Sequence, residues 1–497
     1  MTRQPFWRLA RGTLIYGTGG ILSRFIAFLL LPIFTSYLTP ADFGISSILG
    51  LIAFLIIPVF SFGCGATIGI CYFEEESKEE KEATIWTTFV MLLISVSVLA
   101  VLAYSFAGEI STFAFQNSEY HYLVRISLWT TCLTILSIPL GLYLQFKERV
   151  KTFVILSTIS ALITIGLSLI MVVIWKKGIQ GFIEGGLIGQ AITLILFLAP
   201  VVLTTKFRFS RKLCCQILRL GVPMIPGFAF LYLIQHGNKY ILQWFEGLGN
   251  VGVYTIGFNL GLMMNLIVSG FTSAWMPYFM SFMDKWDEAR SLFGRILTYY
   301  TLSFGGLSLL FYIAAKPVVM IMTRSAFHEA YKVVGLSASA QFLIGVFSIF
   351  LPAIYFAKEV RYITLIQGVS ALLSIGFNLI LIPLFGMTGS AVALVLGALA
   401  MCVLQQAWNL KRKGTYFNVQ YEWNRILRFS IMYGGFVLIM LLRSSSSLGV
   451  EILISGIAAA TLLIILYVLL NHREREMLWT IGKRLTGKVS TRVSVQL

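Results

Sequence analysis

"GTGGILSRFIAFLLLPIF", residues 17–34, sets one arginine, Arg24, in a run that is otherwise glycine, small polar and apolar. Extended by its apolar neighbours, the run has the length of a bilayer crossing, about 20 residues. A charge near the middle of such a helix costs about 2.5 to 3.5 kcal/mol on insertion scales, so something must be gained by keeping it. The number of such crossings, and what the arginine meets, decide the rest.

On the C-terminal side of this run, apolar stretches recur along the whole chain. Of 497 residues, 58% are hydrophobic and 12% charged, with mean hydropathy +0.85; soluble domains carry about 25% charged residues. Fourteen spans fit, near 12–38, 44–70, 84–106, 121–146, 152–175, 182–204, 219–245, 251–275, 292–315, 333–357, 361–382, 389–410, 426–443 and 449–470. The fold class is therefore an all-α polytopic membrane protein. The basic N-terminal segment reads as part of an uncleaved first helix.

The net charge of +17 could suggest nucleic acid, but the basic residues lie in short loops between spans, which excludes a basic soluble face. With both termini on one side, 29 of the 38 Lys and Arg fall on that side and seven on the other. The positive-inside rule makes the richer side cytoplasmic. A multi-pass protein of the bacterial inner membrane, with both ends in the cytoplasm, is expected. The acidic run "EEESKEEKE" (74–82) reads as a solvated loop or helix end. The six cysteines form no metal-ligand spacing and read as small core residues and free thiols.

Two halves of the chain repeat. "SALITIG" (160–166) returns as "SALLSIG" (370–376), "GIQG" (178–181) as "GMTG" (386–389), and "FGISS" (43–47) as "VGVYT" (251–255). "YLQFKERV" (143–150) matches "YFAKEVR" (355–361) with one gap. The offsets are 208 to 212, and six spans separate the copies, so both insert in the same orientation. Parallel repeats place a substrate site at their interface. The expected organisation is an N-lobe (1–204, spans 1–6), a cytoplasmic linker (205–218), a C-lobe (219–410, spans 7–12), an added pair (411–470, spans 13–14) and a basic tail (471–497).

Chemistry-bearing groups are few. No phosphate loop, H-E-x-x-H or carboxylate pair for acid–base work occurs, which argues against an enzyme. Arg24 and Lys239 are the full charges set within spans, and the nearest span-associated carboxylate is Glu184, near the outer start of span 6. A guanidinium can donate two parallel hydrogen bonds to a phosphate. His236, Asn238 and Lys239 occupy the corresponding part of span 7, and His236 and Lys239, three apart, share a helical face. Lys239 faces either that cavity or, by snorkelling, the outer headgroups. Together these residues read as a cationic cavity for an anion.

On these residues the chain resembles the polysaccharide exporters and oligosaccharide-lipid flippases (Wzx-type) of the superfamily that includes multidrug and toxic-compound extruders. The resemblance rests on "ILSRFIAFLLLPIFTSYLTPADFGISSI" in spans 1 and 2, on Tyr72 to Glu76, and on "GVPMIPG", "NKYIL" and "VGVYTIGFNL" around spans 7 and 8. It implies two six-helix bundles forming a V, alternating access, and an undecaprenyl-pyrophosphate-linked glycan, an O-antigen or exopolysaccharide repeat unit, carried to the outer leaflet. It further implies that Arg24 meets the pyrophosphate. Relatives usually carry an acidic residue before the basic one in span 7, where this chain has Asn238. No cofactor is expected. A coupling proton or sodium ion has no assigned site. The expected partners are membrane lipids and the polysaccharide polymerase, around a monomeric carrier. A cation-coupled multidrug extruder and a lipid II flippase are the alternatives; the first typically needs deep carboxylates, the second several cavity arginines.

Overall fold

A computed structural model describes residues 28–147, 150–283, 286–359, 361–411, 419–442 and 448–469, with Ile26 and Glu474. Among the described residues regular structure is helical and no strand occurs. Ten helical stretches are long and apolar enough to cross a bilayer. Two of them, Arg211–Gly261 and Arg361–Lys411, have 51 residues each, roughly 75 Å as straight helix and too long for one crossing. Each is broken at a glycine with positive φ, Gly247 (77°) and Gly386 (57°), a conformation that costs other residues strain. With those breaks, the described helices fit the spans expected from sequence, of which the first is described only from Ile26 onward.

Local chemistry fixes the turns. At the end of span 1, Leu38 is extended and Thr39 caps span 2 (Pro40–Phe60). Asp42 Oδ2 accepts from the Thr39 amide at 2.8 Å while Thr39 Oγ1 accepts from the Asp42 amide, the reciprocal arrangement of a capping box. Pro58 removes a donor late in span 2, and the helix breaks over Ser61 to Gly63 before resuming as Cys64–Glu74.

The acidic run is more than a solvated end. Ser77 caps span 3 (Lys78–Phe115), whose first turns carry Glu79, Glu80 and Glu82. These hold the linker. Arg208 pairs with Glu79, the Lys206 amide donates to Glu82 at 3.1 Å, and Trp86 donates to Thr205 at 3.0 Å. The linker itself ends in an amphipathic helix, Arg211–Gly221, capped by Ser210. Cys214 and Cys215 are on that helix; Cys64, Cys71, Cys132 and Cys402 are buried free thiols.

Spans 4, 5 and 6 (His121–Phe146, Val150–Leu169, Gly178–Thr204) complete the first bundle. The second contains span 7 (Ile225–His236, continuing from Asn238 to the break at Gly247), span 8 (248–261 and Met263–Met280) and span 9 (Trp286–Met322). Span 10 (Tyr331–Ile349 and Pro352–Phe356) and spans 11 and 12 (361–385 and 387–411) follow. Spans 13 and 14 are Trp423–Leu441 and Leu448–Leu469. One buried cluster lies within residues 64–217, a second within 234–402, and a third joins Ile45, Ile48 and Leu49 to Val251, Tyr254 and Phe258.

The repeat is visible in the packing. A Cβ at Gly189 would overlap Thr164 of span 5, and one at Gly397 would stand 2.9 Å from Ser374 of span 11. The two contacts differ by 208 and 210 residues. Between the lobes the relation is reciprocal: a Cβ at Gly44 would overlap the Leu248 carbonyl, and one at Gly252 the Pro40 carbonyl. Gly44 and Gly252 stand 208 apart, as do Pro40 and Leu248, which a parallel two-fold relation between spans 2 and 8 requires.

One charge pattern differs from the sequence expectation. Glu451 of span 14 is fully buried, and its Oε1 lies 2.9 Å from Lys316 Nζ of span 9. The expectation that Arg24 and Lys239 are the charges within spans, with Glu184 the nearest carboxylate, is corrected here. Lys316 sits where span 9 was expected to have ended, but the helix continues to Met322.

Candidate functional site

Between the lobes lies a cavity of about 560 Å³, walled by spans 1, 2, 7 and 8. Span 1 contributes Phe28 and Leu31, span 2 contributes Phe43 and Phe54, and span 7 contributes Gln235 and His236. Span 8 supplies Asn259, Leu260, Met263 and Asn265, among others. Among the described lining residues none is a carboxylate.

Successive turns of span 7 give the site its order. Tyr232 stacks on Phe54 of span 2, centroids 4.0 Å apart and nearly parallel. One turn on, His236 faces the cavity with its ring 4.7 Å from Tyr232 and edge-on to Phe258 at 5.3 Å. Beyond it, Lys239 is buried. Its ammonium lies 4.9 Å over the buried Phe258 ring and donates to Ser47 Oγ of span 2 at 3.1 Å. Thr255 donates to the same Ser47 oxygen at 2.9 Å. Ser47 and Thr255 are themselves equivalents in the repeat. This closure between the lobes, with Gly44 on Leu248 and Gly252 on Pro40, brings spans 2 and 8 into backbone contact. Tyr240 and Gln243 strengthen it, donating to the Phe113 and Ala114 carbonyls at the end of span 3.

The sequence-selected residues therefore separate. His236 lines the cavity, and its imidazole makes no hydrogen bond to a described residue. Lys239 shares the Phe258 ring with it but is spent on Ser47, neither lining the cavity nor reaching outward to headgroups. Asn238 turns the other way, donating to Tyr254 and, at 2.9 Å, to Ser390 of span 12. Arg24 lies outside the described residues. Sequence reasoning passed over Gln235, Asn259 and Asn265. Asn265 donates to Gln341 at 3.0 Å, while the Gln235 and Asn259 side chains bond no described group. Their signal was present: three carboxamides in otherwise apolar spans, placed around a histidine.

A family model described as "Polysaccharide biosynthesis protein" matches residues 9–283, which carry span 1, the closure and most of the cavity wall. The chain belongs to that family. Among solved structures, the chain is similar to the lipid II flippase MurJ in an inward closed conformation, with TM-score 0.70 and 14% identity over 91% of this chain and 99% of that one. It is also similar to a multidrug resistance MATE family transporter of the MOP superfamily, inward-facing, with TM-score 0.66 and 12% identity over 82% and 94% of the two chains. A MOP superfamily transporter from Pyrococcus furiosus follows at TM-score 0.55, 15% identity, 81% and 93%. At these identities the likeness is one of fold, the transporter fold of paired helical bundles. No curated protein matches the sequence.

Proposed function

We propose that this family member carries a polyprenyl-pyrophosphate-linked oligosaccharide, an O-antigen or exopolysaccharide repeat unit, from the inner to the outer leaflet. The observation that carries the reading is the cavity between the lobes: it offers imidazole and carboxamide donors at Gln235, His236 and Asn259 and lines no carboxylate. Such a wall suits an anion and suits a cationic drug poorly. Arg24 stands four residues before the cavity-lining Phe28 in the chain, and in this reading it supplies the fork that holds the pyrophosphate. Helices move as lobes, 1–204 against 219–410 with 205–218 as linker, in a monomer. The linker side is the cytoplasm, in keeping with the basic bias, and the closure at Ser47 and Lys239 faces outward. The protein is a carrier rather than an enzyme; it takes no cofactor, and its coupling ion has no assigned residue.

Arg24→Ala and Arg24→Lys test the reading in a strain whose surface glycan depends on this gene. Arg24→Ala is expected at normal membrane abundance with export abolished and lipid-linked units accumulating inside. Arg24→Lys keeps the charge, loses the bidentate fork and retains partial export. Wild-type export from Arg24→Ala, or export that falls only in step with abundance, contradicts the proposal.

A further inference from the structure

Within the first lobe, spans 2, 4 and 6 form a second, open recess of about 330 Å³. Its polar wall is Thr134, Ser137 and Gln145 on span 4 with Gln190 and Thr193 on span 6, opposite Gly65 of span 2. Among the described residues, no charged one lines it. Both polar helices are apolar crossings, of hydropathy 1.6 and 2.3, where a polar group facing hydrocarbon costs several kcal/mol.

The hydroxyls spend their protons on their own helices: Thr134 donates to Thr130, Ser137 to Leu133 and Thr193 to Gly189, at 2.8 to 2.9 Å. Their oxygens remain able to accept. Gln190 donates one N–H to Ser137 at 3.3 Å, and its amide oxygen accepts from no described residue. A Cβ at Gly65 would meet nothing within 4 Å, so the recess is open there.

Helix packing does not account for these side chains. Gly189 and Gly397 fix the register of span 6 on span 12. At that offset of 208, Gln190 corresponds to Ala398 and Thr193 to Met401, which are 1% and 3% exposed in the packed second lobe. The same architecture therefore tolerates apolar residues where the first lobe has a carboxamide and a hydroxyl.

We propose that this recess binds the sugar portion of the carried molecule, as an uncharged saccharide held by carboxamide and hydroxyl groups. Saccharide hydroxyls both donate and accept, which matches the acceptor oxygens of Thr134, Thr193 and Gln190 and the second Gln190 N–H. An ionic ligand would leave its charge unpaired here. Gly65 follows Phe54 of the inter-lobe cavity by eleven residues, past the break at Ser61 to Gly63 and toward the linker side. A molecule held by its pyrophosphate between the lobes would thus have its glycan beside the recess. The inference rests on the function proposed above.

Two probes separate the two readings: undecaprenyl pyrophosphate without sugar, and lipid-linked oligosaccharide extracted from host cells lacking this protein. Their affinities are measured on the purified full-length protein. The wild type is expected to bind the glycan-bearing probe about tenfold more tightly, the worth of one or two net hydrogen bonds. Gln190→Leu with Thr193→Val should erase that increment and leave the bare probe within about twofold, with an unchanged melting temperature. Gln190→Asn with Thr193→Ser should keep most of the increment. An increment that survives the Leu and Val changes, or its absence in the wild type, overturns the glycan recess alone. Equal loss of both probes with a lowered melting temperature makes these residues structural and also overturns it. Failure of the wild type to bind either probe overturns the carrier reading and the recess with it.

Discussion

Lys239 is a fixed donor in an apolar helix, and its surroundings set what its removal should do. Lys239 is 6% exposed, and its ammonium has Ser47 Oγ and the Phe258 face as its described partners. A charge at bilayer depth costs about 2.5 to 3.5 kcal/mol on insertion scales. Lys239→Met removes that cost while keeping the unbranched stem, so membrane abundance should hold or rise. The inter-lobe bond is lost, and a hydrogen bond to a charged group is worth about 1.5 to 3 kcal/mol. On the proposed carrier function, export should then fall about tenfold or more at full abundance, because the contact between the lobes is weakened. Abundance and export declining together would instead make Lys239 part of the scaffold. Spacing marked Lys239 as unusual, but its partner is 192 residues away in the chain. Periodicity can say which face a residue occupies on its own helix; it carries no record of which helix arrives opposite.

At the scale of elements, the repeat was legible because its small residues perform the same packing twice, as Gly189 and Gly397 do. Helix ends were less so. Span 3 was expected over 84–106 and runs over 78–115, since charged residues that mark a loop in hydropathy can equally begin a helix that emerges from the bilayer. The same limitation hid the contact that docks span 14 on span 9. There Lys316 meets Glu451, and Ser455 donates to the Ile313 carbonyl at 2.9 Å. Breaking one member of a buried pair strands the other, at about 3 to 5 kcal/mol, whereas replacing both by apolar residues is often neutral. Lys316→Met alone and Glu451→Leu alone should therefore lower the thermal midpoint sharply in detergent, and the double variant should recover most of the loss. A double variant no better than the sum of the singles would show that the pair does not hold the helices together.

For the whole molecule, the informative place is where the two lobes meet at their equivalent residues. Ser47 and Thr255 face each other with oxygens 2.9 Å apart and lie 208 residues apart; Gly44 and Gly252 let the backbones approach on either side. In the proposed carriage by alternating access, this contact must separate once in each cycle, because it joins the two lobes at their equivalent residues. Cysteines at both positions put the closure under chemical control, since side chains in such contact can satisfy the 4.4–6.8 Å Cα separation of a disulfide after small adjustment. The six natural cysteines must first be replaced, and the resulting background must retain export. In that background, oxidation of Ser47→Cys/Thr255→Cys should stop export, reductant should restore it, and neither single cysteine should respond. The crosslinked protein should still bind undecaprenyl pyrophosphate, because the linker side of the cavity is untouched by the bond. Undiminished export from fully crosslinked protein would mean that the lobes need not part here, and the alternating-access reading would fall.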